Sequence, residues 1–77
     1  MDAKNLATKF GLTDRESDIV FLIASEGIGN ADIGARLGVS EKTVKNAMLT
    51  IPLKMGFSDD RGGSVRVRIA LRAWEHI

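Results

Sequence analysis

The chain has 77 residues, 44% of them hydrophobic, with no cysteine, one histidine and one proline, and we expect it to form one small domain. Without cysteine, and with His76 as the only histidine, the sequence offers neither a disulfide framework nor a His/Cys metal site, and it has no apolar run long enough to span a membrane. The formal net charge is +1, but the charges are unevenly distributed along the chain. Residues 1–35 hold three basic and six acidic residues, whereas residues 36–77 hold eight basic and four acidic ones. The excess of basic residues favours a polyanionic partner for the second half of the chain.

The first third of the chain predicts a short N-terminal segment, at about residues 2–9, followed by a buried helix. Thr13 and Glu16 have the spacing of a capping box, in which each side chain accepts a hydrogen bond from the other residue's backbone. The helix that starts there should end near Gly27. Because residues 19–24 are apolar on all sides of a helix, we expect this helix to be the most buried.

Two shorter helices are predicted next, over about residues 31–37 and 41–51. Gly38 stands where a left-handed cap ends the first of them, and Ser40 caps the second. Pro52 should end or kink the second helix, because proline lacks an amide hydrogen and clashes with the carbonyl four residues earlier. The spacing directs Val44, Met48 and Ile51 toward the core and Lys42, Lys45, Asn46 and Leu49 outward.

The last helix is predicted over about residues 64–77, after a loop at residues 56–63. Its apolar residues occupy two sides: Ile69, Ala70, Ala73 and Ile77 on one, and Val67, Leu71 and Trp74 on the other. A helix that packs only on its own core needs a narrower apolar stripe, so we predict that Val67, Leu71 and Trp74 form a homodimer interface. Alternatively, the N-terminal segment around Leu6 and Phe10 folds back over this surplus side.

Residues 30–51 have the lengths of a helix-turn-helix, two short helices joined by a tight turn that contains glycine. Such a turn lets the first helix brace across the phosphate backbone while the second enters the major groove. The alternative is a plain helical hairpin in a small bundle.

The choice between a helix-turn-helix and a plain helical hairpin depends on a longer set of residues. This set runs in order and without a gap over about residues 12–57. The chain resembles the LuxR-type DNA-binding domain, also called GerE-like or the effector domain of NarL/FixJ response regulators. The resemblance implies an all-α, four-helix domain containing a helix-turn-helix, here with a short extra N-terminal segment. The matching residues are Leu12-Thr13-x-Arg15-Glu16, Leu22-Ile23-Ala24-x-x-Gly27, Asn30-x-x-Ile33, Leu37-x-Val39-Ser40, Thr43-Val44-Lys45 and Ile51-x-x-Lys54-Met55-Gly56-Phe57.

The resemblance also assigns roles on the third of its helices, the recognition helix. Lys45, Asn46 and Leu49 fall where the family approaches base edges, and their chemistry suits guanine, adenine and the thymine methyl group respectively. Thr43 falls where the family touches phosphate. From their own positions, Lys42 at the start of this helix and Lys54 after its end are placed as phosphate clamps. The alternative for each lysine is a solvated surface charge.

Three residues depart from the family's pattern. Ala47 stands where a histidine is usual, and Pro52 interrupts a recognition helix that usually continues. Gly34 replaces the usual small Ala or Ser at the helix contact, at a cost in helix propensity of up to about 1 kcal/mol.

We therefore expect a bacterial, cytoplasmic transcription regulator that binds specific double-stranded DNA as a homodimer, is associated with the nucleoid when bound, and acts alone or as the C-terminal domain of a longer protein. No cofactor and no enzymatic activity are expected, because His76 has no evident catalytic partner and the glycine-rich pieces lack a phosphate-loop ending. The rival hypothesis is a protein-interaction module of the same fold, which binds and blocks another regulator through its apolar last helix.

Overall fold

The computed structural model describes residues 3–56 and 65–75, and in these two stretches the chain forms five α-helices and no strand. The all-α prediction is confirmed, and the extra N-terminal segment is itself a helix. The helices are α1 (Ala3–Phe10), α2 (Asp14–Glu26), α3 (Asn30–Leu37), α4 (Glu41–Lys54) and α5 (Val65–Trp74). None of these five helices is both long enough and apolar enough to cross a membrane.

Several predicted features lie outside the described residues. These are Phe57, the loop after Gly56, the start of the last helix at Ser64 and its end at His76 and Ile77.

The ends of α2 are set by the residues that the sequence singled out. The Thr13 hydroxyl accepts the Glu16 amide at 3.1 Å, and Glu16 Oε1 accepts the Thr13 amide at 2.9 Å, which completes the capping box. At the other end Gly27 adopts a φ of +64° and its N–H donates to the carbonyls of Ile23 and Leu22. Both predicted boundaries of this helix are confirmed.

The core is organised around α2, as its apolar sequence predicts. The main helix-to-helix interfaces join α2 with α1, α2 with α5, and α3 with α4. Every described helix contributes to the same buried cluster, which therefore fixes the α3–α4 pair against the rest of the domain. Its members are Leu6, Leu12, Ile19, Val20, Leu22, Ile23, Ile33, Val44, Ile51, Met55, Ile69 and Ala73.

Pro52 lies inside α4, so the prediction that the helix ends at about residue 51 is wrong. Proline cannot donate to the carbonyl of Met48, but the helix continues for one more turn. Two features hold that turn: the Met55 N–H donates to the Ile51 carbonyl at 3.0 Å, and both of these side chains are buried. Core packing at Ile51 and Met55 thus outweighs the loss of one backbone hydrogen bond.

Candidate nucleic-acid interface

The turn between α3 and α4 is tight, and two glycines make it possible. Gly38 ends α3 with a φ of +73°, a conformation that side chains with a Cβ rarely adopt. Gly34 is buried one turn earlier, and a Cβ built on it would lie 2.7 Å from the Val39 carbonyl oxygen. The Val39 N–H donates to the Gly34 carbonyl at 2.9 Å across this approach. The turn therefore requires glycine at position 34. The sequence alone shows only the cost of this glycine in helix propensity and not the close contact that requires it.

The first turn of α4 is capped by Ser40, as predicted. The Ser40 hydroxyl accepts the Thr43 backbone N–H at 3.1 Å and lies 3.0 Å from the Thr43 hydroxyl. Both residues are exposed. The Thr43 side chain thus lies at the start of α4, where backbone N–H groups and the helix dipole attract anions.

The rest of α4 divides into a buried side and an exposed side. Val44 and Ile51 are fully buried, and Met48 is half-buried against the core. The predicted outward residues, Lys42, Lys45, Asn46 and Leu49, are all exposed. Leu49 is the extreme case, with 73% of its surface exposed.

Lys54, predicted as a phosphate clamp, is in an ion pair with the buried Glu16. The Lys54 ammonium donates to Glu16 Oε1 at 2.7 Å, and the Thr50 hydroxyl donates to Glu16 Oε2 at 2.8 Å. Burial alone would raise the pKa of the Glu16 carboxyl, but hydrogen bonds from Lys54, the Thr13 backbone and Thr50, together with the Lys54 charge, lower it from 4.5 to about 2. These contacts connect the start of α2 to the end of α4.

Two arginines of α5 hold the opposite ends of the helix-turn-helix. The Arg66 guanidinium donates to the carbonyl of Ile28 and to Oδ1 of Asn30, where α3 begins. The Arg72 guanidinium donates at 3.1 Å to the carbonyl of Met55, which follows α4. The last helix thus contacts both the entrance and the exit of the α3–α4 pair.

The surplus apolar side of α5 is open. Val67, Leu71 and Trp74 are 56%, 64% and 60% exposed, whereas Ile69 and Ala73 on the other side are fully buried. The alternative, in which the N-terminal segment covers this surplus, does not occur, because α1 packs against α2. Leu6 is fully buried in the core, and Phe10 packs against the core as a partly buried residue.

Sequence reasoning missed five residues of the candidate interface or of its support: Gly34, Glu16 as an ion-pair partner, Arg66, Arg72 and Leu53. The partners of Glu16 and Arg66 lie 34 to 38 residues away, so no local pattern indicates them. Leu53 is 70% exposed on α4. Its position seven residues after Asn46 would have placed it on the exposed side, had the helix been extended past Pro52.

A comparison with protein families gives a match over most of the chain. The model of the family described as bacterial regulatory proteins, luxR family (GerE), matches residues 11–62, which include the whole of α2, α3 and α4. Neither the curated proteins nor the solved structures contain a significant match. The chain belongs to the luxR family of bacterial regulatory proteins, a family of DNA-binding transcription regulators.

Proposed function

We propose that the protein binds specific sequences of double-stranded DNA by inserting α4 into the major groove. The observation that carries the proposal is the division of α4 into a buried side and an exposed side with Lys42, Lys45 and Asn46. The major groove is about 12 Å wide and accepts one α-helix, and its base edges offer hydrogen-bonding groups that these side chains match. In the proposed complex α3, which the short turn at Gly38 joins to α4, braces across the phosphate backbone.

In this arrangement Lys45, Asn46 and Leu49 read base edges. Lys45 suits the O6 and N7 acceptors of guanine, and the Asn46 amide can both donate to and accept from adenine. Leu49 offers no hydrogen bond and suits the thymine methyl group. Lys42 and Thr43, in the first turn of α4, contact phosphate and fix the register of the helix.

Lys54 has a weaker role than the other lysines in this proposal. Its ammonium is paired with Glu16, so a phosphate near Lys54 must share it with a carboxylate. The side chain is 37% exposed, which leaves it accessible to DNA while it keeps this partner. We expect Lys54 to stabilise the position of α4 and not to act as a free phosphate clamp, because its charge and that of Glu16 largely cancel at a distance.

We further propose that two copies associate through Val67, Leu71 and Trp74 of α5. Three large, exposed apolar side chains on one helix are unfavourable in water and suit a self-complementary contact about a twofold axis. Such a dimer would present two α4 helices to half-sites about 34 Å apart, one turn of DNA.

The same exposed side of α5 favours a second candidate function, binding of another regulator in place of a second copy. Titration with random duplex DNA over a series of salt concentrations separates the two. A DNA binder releases about 0.9 counterions per neutralised phosphate, so its affinity must fall steeply as salt rises. Saturable binding with a steep salt slope supports the main proposal, and an absence of DNA binding at low salt supports the second candidate.

A further inference from the structure

The exposed stripe of α4 changes character along its length, from polar to apolar. Lys42, Asn46, Leu49 and Leu53 follow one another at intervals of four, three and four residues, which keeps them on one side of the helix. Leu53 lies nine residues after Val44, about 180° around the helix, so it faces directly away from that fully buried residue. The two leucines, 73% and 70% exposed, are the outermost apolar groups of α4.

We infer that Leu49 and Leu53 together read the methyl groups of thymines in the bound site, which makes Leu53 an additional specificity-determining residue. The inference rests on the proposed insertion of α4 into the major groove. Its basis is that Lys42 and Asn46 lie on the same exposed side of α4 as the two leucines, so a groove that contacts the first two also extends toward the leucines. A helix that places Asn46 against base edges carries Leu53 about 10 Å further along the same side.

The chemistry of the groove identifies the group that a leucine can contact favourably. Base edges in the major groove are hydrogen-bond donors and acceptors, with the single exception of the thymine methyl. A leucine placed against a guanine or cytosine edge would leave polar groups without partners, whereas a thymine methyl gives an apolar contact.

The spacing of the two leucines sets the expected spacing of the thymines. Four residues of α-helix rise about 6 Å, and residues three or four apart on a helix that lies in the major groove contact neighbouring bases. We therefore expect two thymine positions about one or two base-pair steps apart, one read by Leu49 and one by Leu53. Asn46, on the N-terminal side of Leu49, places an adenine preference next to them.

Replacement of thymine by deoxyuridine tests the inference, because deoxyuridine lacks only the methyl group and keeps its base pairing. A duplex recovered from a random library by repeated binding to the wild-type protein is resynthesised with one deoxyuridine at a time. At two thymine positions we expect affinity to fall about fourfold, the factor that corresponds to one buried methyl group. In Leu53→Ala one of these two effects should disappear while the other remains, and in Leu49→Ala the reverse.

Controls distinguish failure of this inference from failure of the proposed function. Thr8→Ala changes an exposed side chain of α1, which has no part in the proposed DNA or dimer contacts, and should keep both deoxyuridine effects. Specific binding by the wild type without any deoxyuridine effect, or an unchanged pair of effects in a folded Leu53→Ala protein, would overturn the inference and leave the proposed function standing. If no duplex is enriched from the library, the proposed function itself fails. Circular dichroism of each variant verifies that it is folded.

Discussion

Replacement of Gly34 by alanine should destabilise the protein, although alanine is the better helix former. In an open helical position this change would favour folding by about 1 kcal/mol. In α3 the added Cβ would lie 2.7 Å from the Val39 carbonyl oxygen and 3.3 Å from the Ser40 carbonyl carbon and oxygen. All three atoms belong to the backbone of the turn, so the strain cannot be relieved by rotation of a side chain.

The magnitude follows from the groups that must move. Overpacking of a close contact costs about 1 to 3 kcal/mol, and weakening of the hydrogen bond from Val39 to Gly34 costs about 1 kcal/mol more. After the gain in helix propensity, we expect a net loss of about 1 to 3 kcal/mol in the free energy of unfolding. For a domain of this size that lowers the melting temperature by at least about 4 °C.

Thermal and urea unfolding followed by circular dichroism measure this loss, with Gly29→Ala as the matched control. Gly29 has no positive φ, and a Cβ there would meet no atom within 4 Å. Alanine caps the start of α3 less well than Gly29, which lowers stability, but it also reduces the entropy of the unfolded chain, which raises stability. We expect these two effects to offset one another to within about 0.5 kcal/mol. A Gly34→Ala protein as stable as the wild type would show that the close turn does not constrain this position.

Three further predictions concern contacts of the described residues. Ionised Glu16, with its pKa lowered to about 2, should contribute up to about 3 kcal/mol of stability, which is complete above pH 4.5 and is lost as the pH falls toward 2. The free energies of unfolding of wild type and Glu16→Gln, measured in urea across this pH range, should therefore converge at low pH. A constant difference between them would contradict the ion pair with Lys54. Arg66→Ala should speed amide hydrogen exchange at the start of α3 more than in α4, and equal protection in wild type and variant would refute its anchoring role. Leu71→Asp should give a folded monomer in sedimentation experiments in which the wild type is a dimer. A carboxylate buried without a partner in the interface would reduce the free energy of association by several kcal/mol. A monomeric wild type would contradict the proposed interface.

The helix boundaries that depend on local chemistry were predictable from the sequence. The capping box of Thr13 and Glu16, the Ser40 cap and the left-handed Gly38 each act within three or four residues, so the sequence alone specifies them. The outward direction of Lys45 and Asn46 was predictable for the same reason, because helical periodicity together with the apolar positions defines the buried side.

The features that depend on distant residues were not predictable. Propensity at Pro52 indicates a helix end, but burial of Ile51 and Met55 in a core formed by other helices outweighs it. Lys54 is an ordinary surface lysine by its local pattern, and only the fold brings it to Glu16. The same holds for Arg66, whose partners precede α3 and begin it.

The Lys45→Ala variant tests whether the exposed side of α4 reads DNA sequence. Its affinity is measured for a duplex selected by the wild type and for a random duplex, with Lys9→Ala of α1 as the control for loss of one exposed positive charge. We predict that Lys45→Ala weakens binding to the selected duplex by about 1 to 3 kcal/mol and reduces its preference over random DNA, while Lys9→Ala keeps that preference. A folded Lys45→Ala protein with wild-type affinity and preference would show that the exposed side of α4 does not read the DNA sequence.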